Sequence, residues 1–397
     1  MVNYCGIDWH QKSKRDKDME KVTVGIVGAG RATQLHCMAY AKVSGISVRL
    51  KGIFSKTPEH AKQAKEEYGI ECVFSTYEDL LDDAGIDVVD ICTPPCTHKD
   101  MIIQALAHGK HVICEKPMCG YFGSGLTDKK EMYEAVLKDL DEIEAAVKKS
   151  GKIFMYAENF IYAPAIVKAA EILKAKSSRI LYAKGEESLA GSSSPVAGYW
   201  EKNGGGSLMR IGSHPLGAIV WLKAYVNGAH VTNVLSDIAS VTPALSEYEH
   251  RHIQSRPVDV EDTATVCLTF SDGTKAVIIA CDTRLGGSMN YVDLYCNDAM
   301  LECKLTMHDA MSTYLLDEDG MQNVEISEML RTKLGWNNPF ISDEIIRGYV
   351  GEMQDFMESI ANNKSPKSDF VVAKETTKVM YAAYLSAQMG AKQVVDD

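Results

Sequence analysis

The sequence predicts an α/β protein of two domains. The first is a doubly wound parallel sheet; the second is an α/β domain on a large, mostly antiparallel open sheet. Three observations carry this. Between Lys21 and Cys114, short β-branched runs alternate with helix-patterned segments, the pattern of parallel strands joined by crossover helices. From Ile180 the apolar period changes from about 3.6 toward about 2, as in half-buried antiparallel strands. The chain has 397 residues, more than one ordinary core accommodates. The expected division is a polar arm at 1–20, a first domain at 21–152 and a second at 153–397.

Val22–Val27 is a β-branched strand, followed by Gly28-Ala29-Gly30 and a helix-patterned segment. Strand, glycine turn and helix together cradle a pyrophosphate. Gly28 permits the turn, Gly30 lets backbone approach without a Cβ, and the helix start at Arg31 and Ala32 offers free N–H groups. Thr33 stands where a third glycine is usual, a mild departure in helix–strand packing. The next strand is expected at 47–54. An acid at its end would bond the ribose hydroxyls of NAD, but the chain has Ser55-Lys56-Thr57. No carboxylate there repels a 2′-phosphate, and Lys56 can pair with one, so NADP is admissible beside NAD. The alternative is that Lys56 is a solvated surface lysine and Ser55 serves the ribose of NAD; NAD is preferred, with oxidation as the direction.

Helices follow at 58–68, opened by Thr57 and Pro58, at 76–84 behind Thr76, and at 99–108 before Gly109. Strands are expected at 71–75, 86–92, 111–114 and 153–157, with helices at 128–149 and 163–175. In doubly wound sheets ligands sit at the carboxyl ends of strands, where Gly28, Ser55, Thr93 and Lys116 all fall. The second domain's strands are expected at 180–187, 231–241, 263–270, 275–281, 291–296, 300–305 and 312–316. A buried helix is expected over 207–225, and tail helices over 344–362 and 373–391.

Composition narrows the class. Hydrophobic content of 46% and charged content of 24% fit a globular protein, and a net charge of −12 argues against nucleic acid and anionic membrane as partners. No apolar run reaches the length of a membrane span, and the first 20 residues lack the apolar core of a secretory signal. Eleven cysteines, many within strand-like runs, read as free thiols in a reducing compartment, which places the protein in the cytoplasm. Neither Cys92/Cys96 nor Cys114/Cys119 has the spacing of a zinc site, so no metal is expected.

Two residues stand out for chemistry. Lys116 follows a buried strand between Glu115 and Pro117, where desolvation can lower its pKa or its charge can polarise a hydroxyl. His214 lies in an apolar segment ten residues after Gly204-Gly205-Gly206, a run that suits flexible backbone near a cofactor, and histidine is the base suited to a hydroxyl proton. Arg210, four residues earlier, shares its helical face and could keep it neutral or grip a substrate oxygen. Tyr156, Asn159 and Tyr162 offer neutral hydrogen-bonding groups for a polyol, and Tyr199 and Trp200 offer stacking faces. A snorkelling lysine, a core histidine and packing aromatics remain the ordinary alternatives.

GIVGAG at 25–30, CTPPCTH at 92–98, CEKP at 114–117 and GGGSLMRIGSHPLG at 204–217 together resemble the Gfo/Idh/MocA oxidoreductases, the glucose–fructose oxidoreductase and inositol dehydrogenase family. The resemblance runs from Lys21 onward. It implies a Rossmann domain and a second domain whose open sheet forms homo-oligomer contacts. It implies Lys116 and His214 as the catalytic pair. Thr93, Pro94, His98, Glu115 and Trp200 would line the cofactor, and Asn159 would lie near nicotinamide and substrate. Two departures stand out. Arg210 replaces the acid the family carries four residues before the histidine, and 119–130 is an insertion that could fold over the site or serve assembly. The stretches GEESLAGSSSP, ENFIYAP and GWNNPF are similar to members oxidising sugar rings in glycosides, some at the 3-position and some on C-glycosides. The expected activity is NAD(P)-dependent oxidation of a secondary pyranose hydroxyl. A redox-neutral enzyme with bound cofactor, an NAD-dependent glycosidase and a non-catalytic dinucleotide-binding partner are the rivals.

Overall fold

The computed structural model describes residues 20–194, 196–306, 313–319, 332, 334–337 and 345–395. Apart from Glu20, the expected arm at 1–20 lies outside them. The first domain runs β1 (Lys21–Val27), α1 (Arg31–Tyr40), β2 (Ser47–Phe54), α2 (Pro58–Tyr68), β3 (Cys72–Val73), α3 (Tyr77–Asp82), β4 (Val88–Ile91), α4 (His98–Ala107), β5 (His111–Glu115), α5 (Lys129–Ser150) and β6 (Phe154–Ala157). The second runs α6 (Pro164–Lys176), β7 (Ile180–Ser188), α7 (Trp200–Asn203), α8 (Ser213–Asn227), β8 (Val231–Ala239), β9 (Thr263–Phe270), β10 (Lys275–Cys281), β11 (Met289–Cys296), β12 (Met300–Lys304), β13 (Thr313–Leu315), β14 (Gly335–Asn337), α9 (Tyr349–Ala361), α10 (Phe370–Met389) and β15 (Gln393–Val394).

The first sheet has six strands in the order β3-β2-β1-β4-β5-β6, all parallel. β1 is buried at every position after Lys21, and β4 throughout, because helices cover both faces. β6 pairs with β5, so this sheet extends to Ala157 and the expected boundary at 152 falls one strand early. A strand order reversing at β1 and β4 places the carboxyl ends of β1, β4 and β5 around one crevice.

The second sheet has seven strands in the order β12-β11-β7-β10-β9-β8-β15. Only β7 and β10 pair in parallel; the other neighbours are antiparallel. In β10 buried positions alternate with partly exposed ones, the two-residue period read from the sequence. The strand expected at 312–316 pairs as β13 with β14 in a separate two-stranded sheet.

The helix expected over 207–225 begins instead as a π-helical turn, Leu208–Gly212, before α8. Such wide turns insert an extra residue per turn and cluster at functional sites. The insertion at 119–130 runs along the junction of the two domains. It ties the two domains together: Tyr121 N–H donates to Tyr381 Oη at 2.7 Å and Gly125 N–H to Asp259 at 3.1 Å. α10 packs along both β8 and α5, completing that seam.

Gly28 has φ of +104°, and a Cβ there would lie 2.5 Å from the carbonyl oxygen of Cys92. A side chain therefore strains the backbone and pushes β4 from β1. Gly28→Ala is expected to destabilise the fold by about 2 kcal/mol or more. Chemical denaturation checks this; a change below about 0.5 kcal/mol contradicts it.

Candidate active site

The crevice opens onto a groove of about 450 Å³ lined by Gly28, Ala29, Gly30, Ser55, Lys56, Thr93 and Pro94, among others. Structure thus gathers residues from three strand ends that are far apart in sequence. A Cβ on Gly30 would meet nothing within 4 Å, so the turn faces open space, whereas one on Gly28 would strike the backbone of Cys92 and Thr93. Free N–H groups of the first turn of α1 border that space, and Arg31 lines the adjoining cavity with Thr33 and His60. Ala32 lies half-buried in that turn. Thr33, in the third-glycine position, is buried and donates from Oγ1 to the Gly28 carbonyl at 3.1 Å, so its hydroxyl braces the turn. These residues fit a dinucleotide.

Beyond the groove lies a buried charge network. Tyr40 donates to Asp90 at 2.8 Å, His36 Nδ1 sits 2.9 Å from Asp90, and His36 Nε2 sits 3.2 Å from Glu115. Burial opposes charge on His36, but Asp90 and Cys92 outweigh it and raise its pKa. Burial likewise works against ionised Glu115, yet His36 and Lys116 hold its carboxyl below the ordinary range. Lys116 donates from Nζ to the backbone carbonyl of Arg210. Burial lowers its pKa, against the pull of Glu158, Glu115 and Glu187. The donor atoms of His36, Asp90 and Cys92 lie within 4.8 Å of one another. Burial raises the Cys92 thiol well above its usual range, and its sulfur lies 3.4 Å from both His36 Nδ1 and Asp90 Oδ1.

His214 is 6% exposed and its Nδ1 lies 2.6 Å from Glu158 Oε1. Its ring stacks on Phe160 at 4.8 Å. Glu158, directly after β6, thus meets the histidine from another element. A Cβ on Gly217 would come 2.8 Å from Glu158 Cγ, so glycine one turn after His214 makes room for this carboxylate. Burial lowers the His214 pKa to about 3, with Lys116 as the next cause. Burial raises Glu158 to about 8, opposed by Lys116. The role expected of Arg210 therefore falls to Lys116. The Arg210 guanidinium turns from His214 and pairs with Asp282.

Glu187, at the end of β7, is also turned toward this centre: His214, Arg347 and Lys116 all act on its charge. Its Oε1 meets Asn290 Nδ2 at 3.4 Å. Glu158 Oε2, Glu187 Oε2 and Asn290 Oδ1 are buried acceptors without a donor. Asn159 is buried beside Glu158 and donates to the Arg347 carbonyl at 2.8 Å.

Several expected ligand groups are committed elsewhere. Trp200 does not line the groove. It is buried against Tyr384, its Nε1 donates to the Tyr121 carbonyl at 2.9 Å, and Lys129 Nζ sits 4.1 Å over its ring. Tyr162 is one of these, donating to Asp355 at 2.9 Å, whereas Tyr156 is wholly buried with no partner for its hydroxyl. His98 meets the carbonyls of Pro117 and Thr93 at 2.8 and 2.9 Å, clamping two turns with no nitrogen left for a ligand. Gly204-Gly205-Gly206 is buried and packed: Tyr381 donates to the Gly204 carbonyl, and Gly206 N–H donates to Glu261. Close approach, not flexibility, explains those glycines.

A family model described as "Oxidoreductase family, NAD-binding Rossmann fold" (GFO_IDH_MocA) matches residues 22–157, and the GFO/IDH/MocA C-terminal domain matches 175–302. Levoglucosan dehydrogenase of Pseudarthrobacter phenanthrenivorans is 29% identical over 296 residues, covering 69% of this chain and 70% of that protein. Inositol 2-dehydrogenase of Rhizobium meliloti is 38% identical over 98 residues, 24% of this chain and 28% of that protein. Among solved structures, GenD2 from gentamicin A biosynthesis in complex with NAD superposes with a TM-score of 0.78 at 19% identity, over 96% of this chain and 97% of that one. Levoglucosan dehydrogenase with NADH and levoglucosan gives 0.73 at 21%, over 95% and 100%.

The pair Glu158–His214 predicts a tautomer change. Below about pH 8 Glu158 keeps its proton and donates to Nδ1, leaving the proton of the ring on Nε2. Above it the carboxylate accepts from Nδ1–H and frees the Nε2 lone pair. Nitrogen-15 NMR of histidine-labelled protein should show a neutral His214 at pH 7 whose protonated nitrogen switches as pH rises. An imidazolium at pH 7 contradicts this.

Proposed function

Because the chain belongs to the Gfo/Idh/MocA oxidoreductase family, we propose that it is an NAD-dependent dehydrogenase that oxidises a secondary hydroxyl of a pyranose, free or in a glycoside, to a ketone. Its first domain is that family's NAD-binding Rossmann domain. The family-level reading, a sugar or polyol dehydrogenase, has support in the names of its relatives, levoglucosan and inositol dehydrogenases.

The observation that carries the reading is a neutral histidine backed by a carboxylate beside a desolvated lysine, beyond a dinucleotide groove. NAD, when bound, supplies the hydride acceptor. His214 Nε2 takes the hydroxyl proton, and Glu158 takes up the charge that appears on the ring. Lys116 holds the same oxygen and stabilises negative charge as it develops. The unpartnered acceptors on Glu158, Glu187 and Asn290 favour a substrate with several hydroxyl donors, since buried acceptors left unmet are costly. The likeness of ENFIYAP and GEESLAGSSSP to glycoside-oxidising members supports position 3 of a glucosyl ring as the reacting carbon.

Leu181 and Leu235, exposed on the second sheet, support a homo-oligomer through that face. The described cysteines are all free, which supports a cytoplasmic setting.

Absorbance at 340 nm, with NAD or NADP and a panel of pyranoses, methyl pyranosides, disaccharides and inositols, tests the reading. NAD reduction with a pyranoside is expected. Lys116→Ala should lower kcat/KM by about 100-fold or more. Full turnover by Lys116→Ala, or no oxidation of any pyranose or pyranoside, overturns it.

A further inference from the structure

A second cavity of about 470 Å³ is lined in part by Arg210, the residue whose backbone carbonyl accepts from Lys116. Ser192, Ser193, Ser194, Gln254 and the Arg210–Asp282 pair contribute to its wall. Arg210 belongs to both places: its backbone carbonyl receives Lys116, and its guanidinium borders the cavity. The volume is in the range of about 300–1,000 Å³ typical of small-molecule sites.

We propose that this cavity is a subsite for the part of the substrate beyond the oxidised ring, a neutral hydroxyl-bearing second unit such as another sugar ring. The proposal rests on the pyranoside reading above.

Two features select that chemistry. Arg210 Nε and Asp282 Oδ1 are buried and have no partner, although the two side chains pair through other atoms. Asp282 is 3% exposed, so water does not freely meet its carboxylate. One orphan is a donor and the other an acceptor. Hydroxyls suit both kinds of group, since they accept from an N–H and donate to a carboxylate, whereas a methyl or an aromatic edge suits neither. The second feature is charge. Arg210 and Arg256 are balanced by Asp282 and Glu261 around the cavity. A phosphate or sugar acid would call for a surplus of cations and an aminosugar for a surplus of anions, whereas this wall has neither. Arg256 is already spent on the carbonyls of Ile253 and Ser255, where it fixes the turn that bears Gln254. The three consecutive serines add short hydroxyls that can donate or accept as a neutral polyol requires.

The test compares cellobiose, lactose, maltose and melibiose with methyl β-D-glucopyranoside and methyl β-D-galactopyranoside, measuring kcat and KM at 340 nm. At least one disaccharide should exceed its methyl pyranoside in kcat/KM by about tenfold, mainly through KM. Asp282→Asn should reduce that ratio tenfold. Ser193→Trp, an exposed loop change that fills the cavity without touching the ion pair, should do the same if Asp282→Asn fails to fold. A methyl pyranoside that turns over as well as every disaccharide, or a ratio unmoved by Ser193→Trp in a folded protein, overturns the subsite while leaving the dehydrogenase reading intact. Oxidation of no pyranoside overturns both.

Discussion

The 2.6 Å contact between Glu158 and His214 is the interaction on which the site depends. A carboxyl and an imidazole buried together cannot both adopt their solution protonation states. Burial pushes the acid up and the base down, so the two share protons as a unit rather than titrating separately. Lys116 then sets the balance, since its charge favours ionised Glu158 and disfavours an imidazolium. Much of the surrounding sequence serves this arrangement: Gly217 leaves room for Glu158, Phe160 fixes the ring of His214, and the π-helical turn presents the Arg210 carbonyl to Lys116.

A second buried chain supports the lysine from the first domain. Tyr40, Asp90 and His36 lead to Glu115, the residue before Lys116. An imidazolium is costly to bury unless its charge is met, and here Asp90 lies 2.9 Å from one ring nitrogen of His36 and Glu115 3.2 Å from the other. The strand carrying Lys116 and the π turn receiving its amine thereby come from different domains. The insertion at 119–130 and α10 hold those domains in register.

The parallel sheet was legible because each strand, cap and glycine acts locally: Thr76 forms a capping box with Asp79, and Gly109 and Gly151 close helices with positive φ. Lys116 and His214 stood out because they lie in distinctive segments. Glu158 did not. It acts across 56 residues of sequence, and no spacing rule connects a strand end to a helix in the other domain. The signal available was a deficit: with Arg210 where an acid is usual, a carboxylate had to come from elsewhere. The packing of Trp200 and the three glycines was hidden for the same reason. Their types fit a cofactor site, but their positions place them against Tyr381, Tyr384 and Glu261, which only the tertiary fold brings near. β6 was assigned to the wrong domain because a strand's pattern does not name the sheet it joins.

The most direct test of the central claim is kcat/KM against pH for the wild type and Glu158→Gln, followed at 340 nm. The wild type should rise with pH toward a plateau, because the base-competent form is the one in which the pair has lost its shared proton. Glu158→Gln should lose that rise and lower the plateau by about tenfold or more. An unchanged profile in Glu158→Gln would contradict the account and leave His214 without the carboxylate assigned to it.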